Sequence, residues 1–332
     1  DTGEIVAGNS NMPGMEALDT ADLAVVFLRF QAFPEEQMKH FDDYLSRGGP
    51  VVGLRTATHA FKMKDTDAYP KYSYDFKGND YELGFGHQVL GQTWVGHYGK
   101  NHQQSTRITA IPDKSDHPIL RGVTDIWVQA GGYNAEPADD WEILTMAQPL
   151  MSMEQDGVPD PEKPPMASEW TREYAAADGK KARVFTSQYG ASEDLLNDGY
   201  RRMLVNAVYW SLGLEDAIKA DATIDFVGPY QPNTFSGKGF AKGIKPSAYD
   251  GFESRIPAHA ADIPVAKPAK PKKSEEMKAS IAVSTKEVTE DRPARFVRIS
   301  IPGQGRVLTL AEVEILNAGG RNIAVDGKTT QS

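Results

Sequence analysis

Between Leu23 and Leu54 the apolar pattern changes period twice. Leu23-Ala-Val-Val-Phe-Leu28 is an unbroken apolar run, the pattern of a central parallel strand buried on both faces. From Pro34 the apolar positions take helical spacing, with Met38, Phe41, Tyr44 and Leu45 on one face. Pro34 suits a first helical turn, Glu35 and Glu36 sit at the positive end of the dipole, and Gly48-Gly49 stops the helix. Pro50-Val-Val-Gly-Leu54 is the next strand. A strand, a helix and a strand in this order need a crossover, so they predict parallel pairing.

The periodicity is lost from Lys62 to Asn101, a stretch rich in Tyr, Gly, Lys and Asp. So long an irregular excursion is the habit of a functional loop, and the aromatic content favours an ordered one. Strands resume at Ser105–Ile111, Ile126–Ala130, Trp141–Met146, Met166–Glu173 and Arg183–Ser187, with a turn-rich connection from Pro159 to Pro165. A last helix is expected from a Ser192 cap to about Leu212, with Leu204, Val208 and Ser211 on one face and Gly213 ending it. The reading is an α/β domain over residues 1–220, Rossmann-like (flavodoxin-like), with a doubly wound parallel sheet. An irregular Gly/Pro/aromatic extension follows over 221–255, then a Pro/Ala/Lys linker over 256–292. The last segment, 293–332, alternates as half-buried strands do at Arg295–Ile301 and Leu308–Leu316.

Composition narrows the function. The 332 residues exceed what one core usually serves. Acidic residues (46) outnumber basic ones (36), for a net charge of -10, which argues against a nucleic-acid partner. No apolar run approaches the ~20 residues of a bilayer-spanning helix. Cysteine is absent, which excludes disulfides, thiolate zinc sites and a cysteine nucleophile.

Three stretches carry a resemblance. They are Pro34-Glu-Glu-Gln37 with Gly53-Leu-Arg-Thr-Ala-Thr-His-Ala-Phe61; Asp116-His-Pro-Ile-Leu-Arg-Gly122; and Trp170-Thr-Arg-Glu-Tyr174 with Arg183–Ser187, Arg201-Arg202 and Asn206–Trp210. In this order they resemble the ThuA-like (trehalose-utilisation) family, built on the class I glutamine amidotransferase fold. The Arg-Thr-Ala-Thr-His-Ala-Phe wording is similar to a secreted, planctomycete-type branch, which implies a periplasmic or extracellular location. The segment from Arg295, with Asn322-Ile-Ala324, resembles the start of a discoidin-type, galactose-binding-like β-sandwich. Family members usually place a strand, a helix and a strand before the Asp22 strand. The main sheet is therefore expected to lack those strands, or to borrow them from a partner chain or a second copy. The 293–332 segment is likewise expected to pack against something else.

In amidotransferases of this fold the turn after the second strand seen here carries the cysteine nucleophile, and counting along Gly53-Leu54-Arg55 puts Arg55 there. A guanidinium stays protonated and cannot attack, so a working cysteine-dependent amidotransferase is excluded. Arg55 reads equally as an anion or sugar-hydroxyl clamp and as an ion pair holding the elbow. Thr56 is a hydroxyl beside it, and His59 lies just past it. Five of the seven histidines fall between His59 and His117. Of these His59, His97 and His102 are the candidates for general acid/base work or for a divalent metal such as zinc. Taken singly, each histidine reads more simply as structural: His59 bonding loop backbone, His117 capping a turn, His40 facing solvent. Trp94, Tyr98 and Tyr133 are candidate sugar-stacking residues, and Tyr189 a site residue at another strand end. Trp170 reads as core. Where the resemblance implies an acidic residue before Tyr133 and a histidine near position 190, this chain has Gly132 and Gly190.

The elbow, the Trp94–His102 loop and Tyr189 are expected to share one pocket at the carboxyl ends of the strands. The resemblance implies a carbohydrate enzyme that hydrolyses or isomerises a keto-glycoside, metal-assisted or not, acting on a small molecule or glycan. The other reading is a non-catalytic carbohydrate-binding or surface interaction module.

Overall fold

The computed structural model describes residues 10–226 together with 230, 232 and 234. The expected linker and the 293–332 segment lie outside the described residues, as does His259. The described elements are β1 (Ala24–Val26), α1 (Glu35–Ser46), β2 (Val51–Leu54), β3 (Thr106–Ala110), β4 (Ile126–Val128), β5 (Glu142–Pro149), β6 (Met166–Ala175), β7 (Lys181–Ser187) and α2 (Asp198–Ser211). Among these residues no helix is long and apolar enough to cross a membrane.

One seven-stranded sheet runs in the order β1-β2-β7-β6-β5-β3-β4. Helices cover both its faces, and the class is α/β as the periodicity predicts. Side chains alternate across the sheet. Val51 and Val184 face α1, where Met38, Phe41, Tyr44 and Leu45 pack with Phe61 and Phe85. Val52 and Phe185 face α2 and meet Tyr200, Met203 and Ala207. Each large side chain fully buried in these layers contributes about 2–3 kcal/mol of transfer free energy.

Only β1, β2 and β7 are parallel. β6, β5, β3 and β4 continue the sheet antiparallel. The connections explain this. β6 and β7 are joined by a tight turn in which Ala176 N donates to Lys180 O at 2.8 Å and Gly179 has φ 82°, and a turn that short cannot make a parallel crossover. Among the described residues the apolar run at Leu23–Leu28 does not lie at the centre of the sheet: β1 is the outermost described strand, with Val25 56% and Phe27 49% exposed. The final helix also starts later than expected. Ser192–Leu196 is a 3-10 turn, and Asn197 is the cap of α2, its side chain accepting from Tyr200 N at 2.9 Å. Leu204 and Val208 are only partly buried; Tyr200, Met203 and Ala207 carry the packed face.

The turn from α1 into β2 is tight because of Tyr44. Its hydroxyl donates to Pro50 O at 2.5 Å, and a Cβ on Gly49 would fall 2.2 Å from its ring. The ring is held and cannot move aside, so Gly49→Ala should cost about 1–3 kcal/mol. Urea denaturation would read this as a lower midpoint at unchanged m-value.

Candidate functional site

The elbow after β2 is a tight turn that begins at Arg55. Arg55 has φ 44°, a costly conformation for a residue with a Cβ, and opens the 3-10 turn Arg55–His59. Its side chain is 4% exposed. Nη1 donates to Gly131 O at 2.9 Å and Nη2 to Asn101 Oδ1 at 3.1 Å, while Asn101 Oδ1 also accepts from Gly131 N at 3.0 Å. Arg55 therefore ties the elbow to the loops around Asn101 and after β4. Of its two sequence readings the holding role describes these contacts, made here to amide oxygens.

A short ladder brings the Gly-rich loop in. His97 and Tyr133 form an antiparallel bridge, Tyr98 N donates to Gly132 O at 2.8 Å, and Asn134 N to Gly96 O at 3.0 Å. The rings then converge. Tyr133 lies 5.5 Å from His59 and 5.3 Å from His97 between centroids. Trp94 lies 5.3 Å from His59 and 5.6 Å from His97. Phe30, just past β1, closes the group at 4.9 Å from His59, 5.2 Å from Tyr74 and 6.5 Å from Trp94. Arg55 and His59 lie beneath this wall. His97 is exposed, and Trp94 and Phe30 are half-buried. Access from solvent is therefore past His97, Trp94 and Phe30.

Burial is the first cause that pushes His59 down, to about 3, and the Arg29 and Arg55 guanidiniums add to it. His97 is lowered by burial and then by the same two arginines. Both imidazoles are neutral at pH 7. Tyr133 is raised by burial and opposed by these arginines. The side-chain charges acting on all three are cationic. His59 Nδ1 also lies 3.2 Å from Thr58 Oγ1.

The other expected residues are placed as follows. Thr56 is half-buried within the elbow turn. Tyr98 turns toward the Pro159–Pro165 connection, its hydroxyl donating to Pro164 O at 2.7 Å. Tyr189 is 2% exposed, and a Cβ on Gly132 would sit 2.3 Å from its hydroxyl. Its ring is thus packed against the backbone beside Tyr133. His102 Nδ1 approaches Thr234 Oγ1 at 3.4 Å. His117 accepts from Ile119 N and caps its turn, and His40 meets Asp19 at 2.7 Å. Trp170 is core, stacked on Trp141 at 3.9 Å.

The three-histidine metal set does not assemble. Among the described residues no three His, Cys, Asp or Glu side chains group as ligands. Burial is the first cause that lowers His59, His97 and His102, and Arg55 is a further cause for each.

Sequence reasoning missed Arg29, Phe30, Tyr74, Asn101 and Asp194. Arg29 and Phe30 follow the carboxyl end of β1, so the strand-end rule could have found them. Asp194 has no such signal. Its buried carboxylate accepts from Gln129, Ala130, Gly190 and Ala191 N at 2.9–3.1 Å, joining the loops after β4 and β7 under the pocket.

The profile of the ThuA family, described as trehalose utilisation, matches residues 9–211. No curated protein matches the chain. Among solved structures it is similar to a ThuA-like protein from Parabacteroides merdae, at 16% identity and TM-score 0.36, over 59% of this chain and 71% of that one. A ThuA-like protein from Bacteroides uniformis matches at 14% identity and TM-score 0.38, over 62% and 75%. A cytoplasmic protein from Salmonella typhimurium matches at 10% and 0.33, over 60% and 74%.

The His59 shift predicts acid sensitivity. Between an ordinary histidine value of ~6.5 and about 3, the unfolded chain binds a proton that the folded chain refuses. Stability should therefore fall as pH drops through this window, by roughly 3–5 kcal/mol from this residue. In His59→Asn the pH dependence of the urea midpoint between those limits should flatten; an unchanged slope would show that His59 is not the cause.

Proposed function

The chain belongs to the ThuA family, which ties it at the family level to carbohydrate utilisation, and from that premise we propose that it acts on an oxidised sugar by removing the proton next to a carbonyl. The observation that carries this reading is the pair of neutral imidazoles, His59 and His97, on either side of the Tyr133 ring in an aromatic wall under positive potential. A neutral, accessible imidazole is a base at pH 7. His97, exposed at the rim, is assigned that role. His59, buried behind it, orients and holds neutral hydrogen-bonding capacity at the floor. The half-buried Trp94 and Phe30 offer faces for a sugar ring.

The chemistry follows from charge. Removal of the carbon-bound proton leaves negative charge on the carbonyl oxygen as an enolate, and preorganised cations favour that charge. Where that carbon bears a hydroxyl, passage of the hydroxyl proton to the enolate oxygen and return of the carbon-bound proton to the former carbonyl carbon complete an isomerisation, the hydroxyl-bearing carbon becoming the new carbonyl. In a 3-keto-glycoside the same step loosens the glycosidic bond instead: the C2 proton goes to His97, the C1–O bond breaks, and its electron pair leaves on the aglycone oxygen. Water then adds across the new double bond, for net hydrolysis. The two-carboxylate mechanism of ordinary glycosidases fits less well, because no carboxylate is among the charges acting on His59 or His97. No step needs a metal ion.

The reading extends to a periplasmic or extracellular setting, with the segment from Arg295 opening a galactose-binding-like module that holds the enzyme near glycans. The second reading is a non-catalytic carbohydrate-binding module, favoured by the same half-buried Trp94 and Phe30.

The test is hydrogen exchange. A 3-keto-glucoside incubated with the protein in deuterated water should gain deuterium beside the carbonyl, read by NMR. His97→Ala should lower the rate by about 10²–10⁴-fold with the fold intact. Binding without exchange in the wild type would favour the second reading, and exchange unaffected by His97→Ala would remove His97 as the base.

A further inference from the structure

Two cations flank the ring that closes the aromatic wall. Arg29 Cζ lies 4.8 Å and Lys62 Nζ 5.8 Å from the centroid of Phe30. They arrive from different segments, held side by side by backbone bonds. Phe30 N donates to His59 O at 2.9 Å, Gln31 N to Ala60 O at 2.7 Å, and Lys62 N to Gln31 O at 2.9 Å. Gln31 and Phe61 form a parallel bridge at the centre of this ladder. Phe30 itself has φ 51°, a conformation a non-glycine residue keeps only where its surroundings impose it.

Neither cation has a carboxylate partner among the described residues, although the protein as a whole carries a net charge of -10. Several other described cations do have one: Arg172 pairs with Asp140, Arg183 with Glu215 and Lys71 with Asp42. Two exposed like charges at one ring repel only weakly through water, and an anion placed beside them is attracted to both. A further donor stands in the same wall. The Trp94 indole N–H is buried without an acceptor, and Trp94 contacts Phe30, His59 and His97. The surroundings of Phe30 thus offer donors and positive charge, which is what an oxyanion requires.

We infer that Arg29 and Lys62 form a subsite for an anionic substituent of the sugar, a carboxylate or a phosphate, held beside the ring that lies against Trp94 and Phe30. The inference rests on the carbohydrate reading of the pocket and deepens it, because it makes the substrate an acidic or phosphorylated sugar. The guanidinium presents a planar fork and the ammonium a point charge. Cation–π contact with Phe30 keeps both in place before the ligand arrives.

Isothermal titration with glucose, glucuronate and glucose 6-phosphate tests it, at low and at physiological ionic strength. Charge-assisted bonds to two cations should make one anionic sugar bind about tenfold tighter than glucose, or more, at low salt. The advantage should shrink at the higher salt. Preference for glucuronate would identify a carboxylate, and preference for glucose 6-phosphate a phosphate. In the double variant Arg29→Gln, Lys62→Gln the ratio of anionic to neutral affinity should collapse toward one. Both side chains are exposed, and circular dichroism would check that the fold is kept. Equal binding of all three sugars, no binding of either anion, or a preference that survives the double variant would overturn the subsite. The deuterium exchange experiment with a neutral 3-keto-glucoside is independent of this result. Its failure with anion preference intact would strike the catalytic reading alone.

Discussion

The guanidinium of Arg55 is buried at the carboxyl end of β2, where a fixed positive charge must find oxygen atoms to stay folded. It finds them in the Gly131 carbonyl and the Asn101 side chain, at 2.9 and 3.1 Å. Much of the pocket depends on this solution. The loop after β4 is drawn to the elbow, the Gly-rich loop pairs with it at His97 and Tyr133, and the histidines gather under a positive field. Asp194 adds to the arrangement by accepting from four backbone N–H groups, two in the loop after β4 and two in the loop after β7. The site is thus organised by one buried cation and one buried anion that need not touch a substrate themselves.

Much of the fold was legible because its signals are local. The run at Leu23–Leu28, the spacing of Met38, Phe41, Tyr44 and Leu45, and the Gly48-Gly49 stop give strand, helix and turn from neighbouring residues alone. Strand direction was not legible beyond the first crossover, because it depends on how connections fold back. Edge position was hidden for the same reason: an apolar run reads alike at a sheet's centre and at its edge, and only the absence of a described neighbour beyond Val25 separates them.

The convergence of several candidate residues was legible in outline by the rule that ligands meet the carboxyl ends of parallel strands. That rule brings His59, Trp94, His97 and Tyr133 together, as the ring distances of 5.3–5.6 Å describe. It does not tell which way a side chain points. Tyr98 turned to Pro164, Tyr189 turned inward, and His102 approached Thr234, and each of these orientations is set by partners more than sixty or a hundred residues distant or by a packed interior. Histidine count suggested a metal; burial and the nearby arginine charges that lower His59 and His97 are invisible to a count of ligand types.

The contact between Tyr189 and Gly132 has an evolutionary consequence. A Cβ at position 132 would lie 2.3 Å from the tyrosine hydroxyl, so the two positions cannot both carry large side chains in this backbone. An acidic residue beside Tyr133 could enter this pocket only after position 189 had shrunk. A lineage that first acquires the tyrosine is held to glycine opposite it.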